Sequence, residues 1–102
     1  MRIAIVDDID SERLLLRTRL EQQLNKRGLH AGLTEFENGE AFLKAAKERP
    51  FTVLFLDIYM EGATGIEIAE RLRETDSDCL LIFTTTSTDH ALDGFRVRAL
   101  HY

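Results

Sequence analysis

Short apolar runs alternate along this chain with longer stretches in which apolar residues return every three or four positions. The short runs are residues 2–6, 31–36, 52–56 and 80–84, and three of the four are almost continuously apolar. Runs of that length read as strands, and their unbroken apolar character predicts strands covered on both faces. The longer stretches read as helices. The first is expected to begin at Asp10 or Ser11, either of which can cap it, to turn Leu16, Leu20 and Leu24 inward, and to stop at Gly28. Asn38 and Gly39 open the second, with Phe42, Leu43 and Ala46 inward and Pro50 closing it. Thr64 and Glu67 have capping-box spacing, and Ile66, Ala69 and Leu72 give the third its apolar side. A fourth is expected over residues 88–97 on Ala91, Leu92 and Phe95. Strand and helix alternating in this way predict an α/β fold, a doubly wound parallel sheet with right-handed crossovers. Ligands of such sheets bind beyond the carboxyl ends of the strands, where strand order reverses.

Composition narrows the class without naming it. At 102 residues and 44% hydrophobic, the chain can bury one core, which predicts a single domain over residues 1–102. Its longest apolar stretch falls far short of the roughly 18 residues of a membrane span, and no leader pattern opens it, so a cytoplasmic protein away from membranes is expected. Cys79 is the single cysteine and heads an apolar run, which excludes a disulfide framework and favours a small buried hydrophobe. A net charge of −5 without any basic run gives no footprint for direct nucleic-acid binding.

The candidate chemistry lies at the ends of the runs. Asp7 and Asp8 close the first, Asp57 closes the third, and Thr84, Thr85 and Thr86 end the fourth. If these runs are neighbouring parallel strands, three carboxylates and a hydroxyl meet at one sheet edge. Carboxylates held within about 4–6 Å repel, and one would take up a proton unless a cation intervened. Mg²⁺ removes the conflict, because it takes oxygen ligands and leaves room for water and a phosphate. Plainer readings compete. Adjacent aspartates after a strand often serve as turn or cap residues, and three threonines are a common β-branched strand end. It is Asp57, at a second strand end, that tips the pair toward metal. His30, His90 and His101 have no metal-ligand spacing, and Gly62 and Gly65 are read as turn and close-packing positions.

With these residues assembled, the chain resembles the receiver domain of bacterial two-component response regulators. Asp7 and Asp8, then Leu56-Asp57-Ile58-Tyr59-Met60 with Gly62 and Gly65, then the apolar run ending in threonine carry the resemblance. Leu81-Ile82-Phe83, Asp89-His90-Ala91-Leu92, Phe95 and Ala99-Leu100-His101-Tyr102 are similar to receivers joined to LytTR-type DNA-binding domains. The resemblance implies a flavodoxin-like (CheY-like) sheet of strand order 2-1-3-4-(5), and phosphotransfer from a sensor histidine kinase to Asp57. It also implies direct Mg²⁺ ligation by Asp8 and Asp57, a role for Asp7 mainly through water, and a further oxygen from the backbone carbonyl of Tyr59. Thr85 falls at the switch hydroxyl and Tyr102 at the switch aromatic, with Thr84 one residue away and turned to the other face by strand alternation. Such a domain signals rather than acting as an enzyme on an external substrate, and it switches an effector domain.

Departures from the family pattern generate expectations of their own. The family's lysine, which follows the switch aromatic, has no counterpart, so the domain is expected to be shortened at the start of its fifth strand, with the fifth helix and effector absent. The fourth strand would then be an uncovered edge prone to homodimer pairing. Glu61 stands where the family often has proline, which is expected to loosen the loop after Asp57. Leu14 falls off the core stripe of the first helix; it and Leu15 are read as a kinase contact, or as residues that would pack on the missing fifth helix or are ordinary scattered apolar residues of a surface. Tyr59 is large enough to shield an acyl phosphate, and Ser87 too small to activate water, so slow self-dephosphorylation is expected. Two other classes remain as alternatives. A haloacid-dehalogenase-like phosphatase would need an aspartate two residues after Asp57, where Tyr59 stands. A flavodoxin-like binding module would need a phosphate-cradling loop where Asp7 and Asp8 stand.

Overall fold

The computed structural model describes residues 1–84 and the backbone of residues 99–101; the expected fourth helix, 88–97, lies outside them. Its elements follow in the order β1 (Arg2–Val6), α1 (Asp10–Lys26), β2 (Gly32–Phe36), α2 (Gly39–Glu48), β3 (Val53–Leu56), α3 (Gly65–Thr75), β4 (Leu80–Phe83) and β5 (Ala99–His101). All neighbouring strands are parallel, in the order β2-β1-β3-β4-β5. The order reverses beside β1, which puts the carboxyl ends of β1 and β3 next to each other. Val6 pairs with Leu56 at that end, and Asp7 and Asp57 are the next residues of their strands.

β5 alters one expectation. It pairs with β4 through Leu81 opposite Ala99 and Ile82 opposite His101, with a shift of register between them. Three residues are enough to engage backbone groups of β4, so the expected uncovered edge is corrected at Leu81 and Ile82. The homodimer expectation loses its basis there.

The helix ends show which local signals operate. Asn38 caps α2, its side chain accepting the Ala41 N–H at 2.8 Å, and Thr64 caps α3 by accepting from Glu67 N–H at 3.3 Å. The start of α1 differs from the expected Asp10 or Ser11 cap. Ile9 is the extended cap residue and makes no side-chain cap bond. The turn before it is closed instead by Asp7, whose Oδ1 accepts the Ile9 N–H at 2.9 Å, so Asp10 is already helical. At the far end Gly28 has a φ of 66°, with Leu29 N–H on the Leu24 carbonyl at 2.9 Å and Gly28 N–H on Asn25 at 3.1 Å. That pair of bonds is a Schellman stop, and it needs a residue free to enter the left-handed region.

The main core lies between the sheet and the α2/α3 pair. Ala4, Val6, Leu54, Leu56, Leu81 and Phe83 from the strands meet Phe42, Ile66, Ile68, Ala69 and Leu72 from the helices, all buried. Gly39 is there for contact: a Cβ on it would overlap the Ile68 side chain. Phe36, Phe42 and Phe51 add an aromatic cluster, with ring centroids 5.7–5.8 Å apart. α1 packs along β1 on the opposite face.

Candidate metal centre and phosphoacceptor site

β1 and β3 end side by side, and their next residues deliver the acidic side chains to one place. Asp7, Asp8 and Asp57 each offer a carboxylate oxygen, and these oxygens all lie within 4.8 Å of one another. The three aspartates predicted from the run ends are therefore one cluster. Asp57 is 9% exposed, the one buried charged residue among the described residues.

Each carboxylate is held differently. Asp57 Oδ1 accepts the Tyr59 N–H at 3.2 Å, while the Asp57 N–H donates to the Val6 carbonyl at 3.0 Å and continues the β1–β3 ladder. Asp7 continues the β1–β2 ladder through its N–H to the Phe36 carbonyl at 3.1 Å, and spends Oδ1 on the Ile9 turn. The plain reading of Asp7 as a turn residue thus holds for one of its oxygens. Asp8 Oδ2 accepts the Glu61 N–H at 3.0 Å, but Asp8 Oδ1 is buried and has no hydrogen-bond partner among the described residues. An unpaired buried carboxylate oxygen is costly, and a cation is the partner that would satisfy it.

Electrostatics point the same way. Burial, then the neighbouring Asp7 charge, push the Asp57 carboxyl up to about 6, against the Tyr59 N–H, which favours ionisation. Asp7 is also raised, first by burial, with the negative charges of Asp8 and Glu12 adding and the Ile9 N–H and Arg13 opposing. Both carboxyls are raised first by burial and then by like-charged neighbours, and a divalent ion fits that donor set because it would offset both.

The loop after Asp57 is tied rather than loosened. The Glu61 N–H that reaches Asp8 is a donor that proline would lack. Gly62 has a φ of 84°, a turn position, and Gly65 N–H bonds the Ile58 carbonyl at 2.9 Å. A Cβ on Gly65 would overlap the Asp57 carbonyl oxygen and stand 2.7 Å from Ile58 Cα, so α3 can start this close to Asp57 only with glycine there. The Tyr59 side chain is half exposed beside the acceptor. Thr84 N–H bonds the Leu56 carbonyl at 3.0 Å, and Thr84 lines a cleft with Asp7, Leu15 and Leu16, on the α1 side of the sheet. Thr85 and Tyr102, the switch pair implied by the resemblance, lie outside the described residues. Sequence reasoning missed Arg13, whose guanidinium donates to the Asp7 carbonyl at 2.7 Å. Nothing in the local pattern separates it from the other arginines of α1.

A wound parallel sheet with a buried aspartate at the end of β3, flanked by two acidic residues at the end of β1, defines a class of domain rather than one protein. Residues 3–102 match the family described as response regulator receiver domain, and the chain belongs to it. It is 31% identical over 102 residues to the sensory transduction protein LytT of Bacillus subtilis, a match that covers 100% of this chain and 41% of that protein. The chain therefore spans less than half of that relative. The fold superposes on the response regulator TrrA of Thermotoga maritima, solved in complex with Mg²⁺-BeF, at a TM-score of 0.83 with 29% identity, covering 99% of this chain and 83% of that one. TrrA solved with the histidine kinase ThkA gives a TM-score of 0.80 with 28% identity, covering 99% and 82%. Among the described residues, no helix is long and apolar enough to cross a membrane.

Proposed function

We propose that this receiver domain accepts a phosphoryl group on Asp57 from a sensor histidine kinase, with Mg²⁺ held by Asp8 and Asp57. The observation that carries the reading is the cluster of three carboxylates within 4.8 Å, with one buried Asp8 oxygen lacking a partner. When bound, the cation would offset the charge of the carboxylates and the incoming phosphoryl group together. The Asp57 carboxylate supplies the attacking oxygen, and the Tyr59 N–H on Oδ1 helps to orient it. An Asp57 oxygen–phosphorus bond forms as the nitrogen–phosphorus bond of a phosphohistidine breaks, and the imidazole keeps the electron pair. Asp8 would ligate through Oδ1 while the Glu61 N–H holds Oδ2. Asp7, with one oxygen committed to the turn, acts on the ion mainly through water, and the Tyr59 carbonyl adds an oxygen.

Thr85 is the switch hydroxyl and Tyr102 the switch aromatic in this reading. Phosphorylation would favour one arrangement of both and so shift the population presented to an effector. The likeness to LytT supports a LytTR-type effector in the whole protein, which would carry DNA binding, leaving none to this domain. The kinase complex of TrrA supports a histidine kinase as donor. A cytoplasmic setting and a single domain over residues 1–102 belong to the same proposal.

Amide NMR of the chain with Mg²⁺, then with added beryllofluoride, tests the assignment. Large shifts at Asp57, Tyr59 and Asp8 that vanish in Asp57→Asn are expected; beryllofluoride shifts that persist in that variant would refute Asp57 as the acceptor.

A further inference from the structure

Arg13 is the fourth residue of α1, and its side chain turns back over the first turn toward the acidic cluster. Its guanidinium has three acceptors: Nη1 donates to the Asp7 carbonyl at 2.7 Å, Nη2 to Asp10 Oδ1 at 2.6 Å, and Nε to Glu35 Oε1 at 3.1 Å. The side chain is only 14% exposed, and its bonds to the Asp7 carbonyl and to Glu35 are partly buried, whereas the bond to Asp10 lies at the surface. Glu35 is itself shared, its Oε2 accepting Arg17 Nη1 at 2.9 Å. It lies on β2 opposite Ile5, one residue before Phe36, whose carbonyl receives the Asp7 N–H.

Asp7 is consequently gripped at three points: its N–H by β2, its side chain by the Ile9 turn and its carbonyl by Arg13. The Asp7 carbonyl belongs to the peptide plane joining Asp7 to Asp8. A plane held at its oxygen sets where Asp8 N and Cα stand, and so the point from which its side chain reaches into the pocket; the Glu61 N–H on Oδ2 then orients the carboxylate whose buried Oδ1 has no partner among the described residues. We infer that Arg13 is a positioning residue for the metal site, orienting Asp8 through the Asp7–Asp8 peptide and anchored to β2 by Glu35. Because it works through other residues, its effect is on how well the site binds a cation.

Charge alone predicts the opposite sign. A guanidinium beside an acidic pocket repels a cation, and Arg13 already opposes the negative neighbours acting on Asp7. Removing it should tighten Mg²⁺ binding if charge governs and loosen it if positioning governs. Lysine separates the two further, since it keeps the charge but lacks the planar fork that serves three acceptors at once.

The inference rests on the metal reading above, and the experiment keeps the two apart. Mg²⁺ is titrated into the parent chain, Asp8→Asn, Arg13→Met and Arg13→Lys, following the Asp8, Asp57 and Tyr59 amides by NMR. Support for outer groups around a metal is commonly worth about tenfold or more in affinity. Arg13→Met is expected to bind Mg²⁺ about tenfold more weakly, with Arg13→Lys between it and the parent. Unchanged or tighter binding in Arg13→Met overturns the inference. Should that variant fail to fold, Arg13→Lys decides: weaker binding supports positioning, and equal or tighter binding overturns it. Binding by the parent that Asp8→Asn abolishes leaves the metal reading standing whatever the arginine variants do, whereas no Mg²⁺ binding by the parent removes both.

Discussion

The two faces of the sheet are made from the same strands and are covered to different degrees. Toward α2 and α3, the side chains of Ala4, Val6, Leu54, Leu56 and Leu81 are wholly shielded from solvent. Toward α1, Ile3 and Ile5 are buried, but Val53, Phe55 and Ile82, next to them in register, are only half-buried. α1 contributes no fully buried residue, and Leu14 and Leu15 are 60% and 46% exposed. Strands with near-continuous apolar runs look alike on both faces in sequence. What distinguishes the faces is the number of helices laid on each among the described residues. The acidic cluster stands at the end of β1 and β3, where the two faces meet, and it takes rigid supports from both: Gly65 at the start of α3 and Arg13 on α1.

The sharpest way to break this comparison is to truncate one leucine on each face. Leu54→Ala should destabilise the chain by about 3 kcal/mol, as a cavity in a packed core does. Leu20→Ala on α1, half-buried, should cost about 1 kcal/mol or less. Urea unfolding of the two variants measures both, and equal losses would mean the faces are equally packed.

A smaller effect comes from the buried acceptor. Asp57 is pushed up to about 6 from an ordinary 3.8, so its protonated form is the one the metal-free fold favours. The sign follows: its contribution to stability is complete below the unfolded value and is lost as pH rises through about 6, a swing of about 2–3 kcal/mol. Asp7, also raised, acts in the same direction. Metal-free chain should therefore be less stable at neutral pH than at mildly acidic pH, and Asp57→Asn should flatten the slope. Mg²⁺ should restore stability on the neutral side, with affinity falling as pH drops below about 6 because protons compete for Asp57. Denaturation at several pH values, with and without Mg²⁺, checks both statements; stability that rises with pH in metal-free chain would contradict them.

The smallest effect on stability, and the most selective on function, is expected at Leu14. Leu14→Gln should leave unfolding unchanged, because the residue is 60% exposed. If Leu14 is a kinase contact, the variant should slow phosphotransfer from a kinase and spare transfer from a small phosphodonor. Equal slowing of both would place the cause in the pocket instead.

Much of the fold was legible because its signals are local. Asn38 and Thr64 announce helix starts by side-chain chemistry that needs only the next three residues, and Gly28 marks a stop through its own backbone freedom. The start of α1 was misread because the Asp7 side chain, not Asp10 or Ser11, closes the turn, and several polar residues in a row offered equivalent caps. Ile68 and the Phe36–Phe42–Phe51 cluster escaped notice because their partners come from separate elements. At Glu61 the absence of proline predicts a looser loop, whereas the main-chain N–H that a non-proline residue keeps bonds Asp8, a contact between residues 53 positions apart.

Taken alone, the order of residues determined which carboxylates end strands, since run ends and acidic side chains are both properties of neighbouring positions. It determined the α/β alternation for the same reason. Only the tertiary structure decided that the aspartates lie within 4.8 Å, that one Asp8 oxygen is buried without a partner, and that Arg13 grips the Asp7 carbonyl. Those facts depend on how β1, β2 and β3 are laid side by side and how α1 and α3 close over their ends. Distances between residues fifty positions apart are set by packing, which no local pattern encodes.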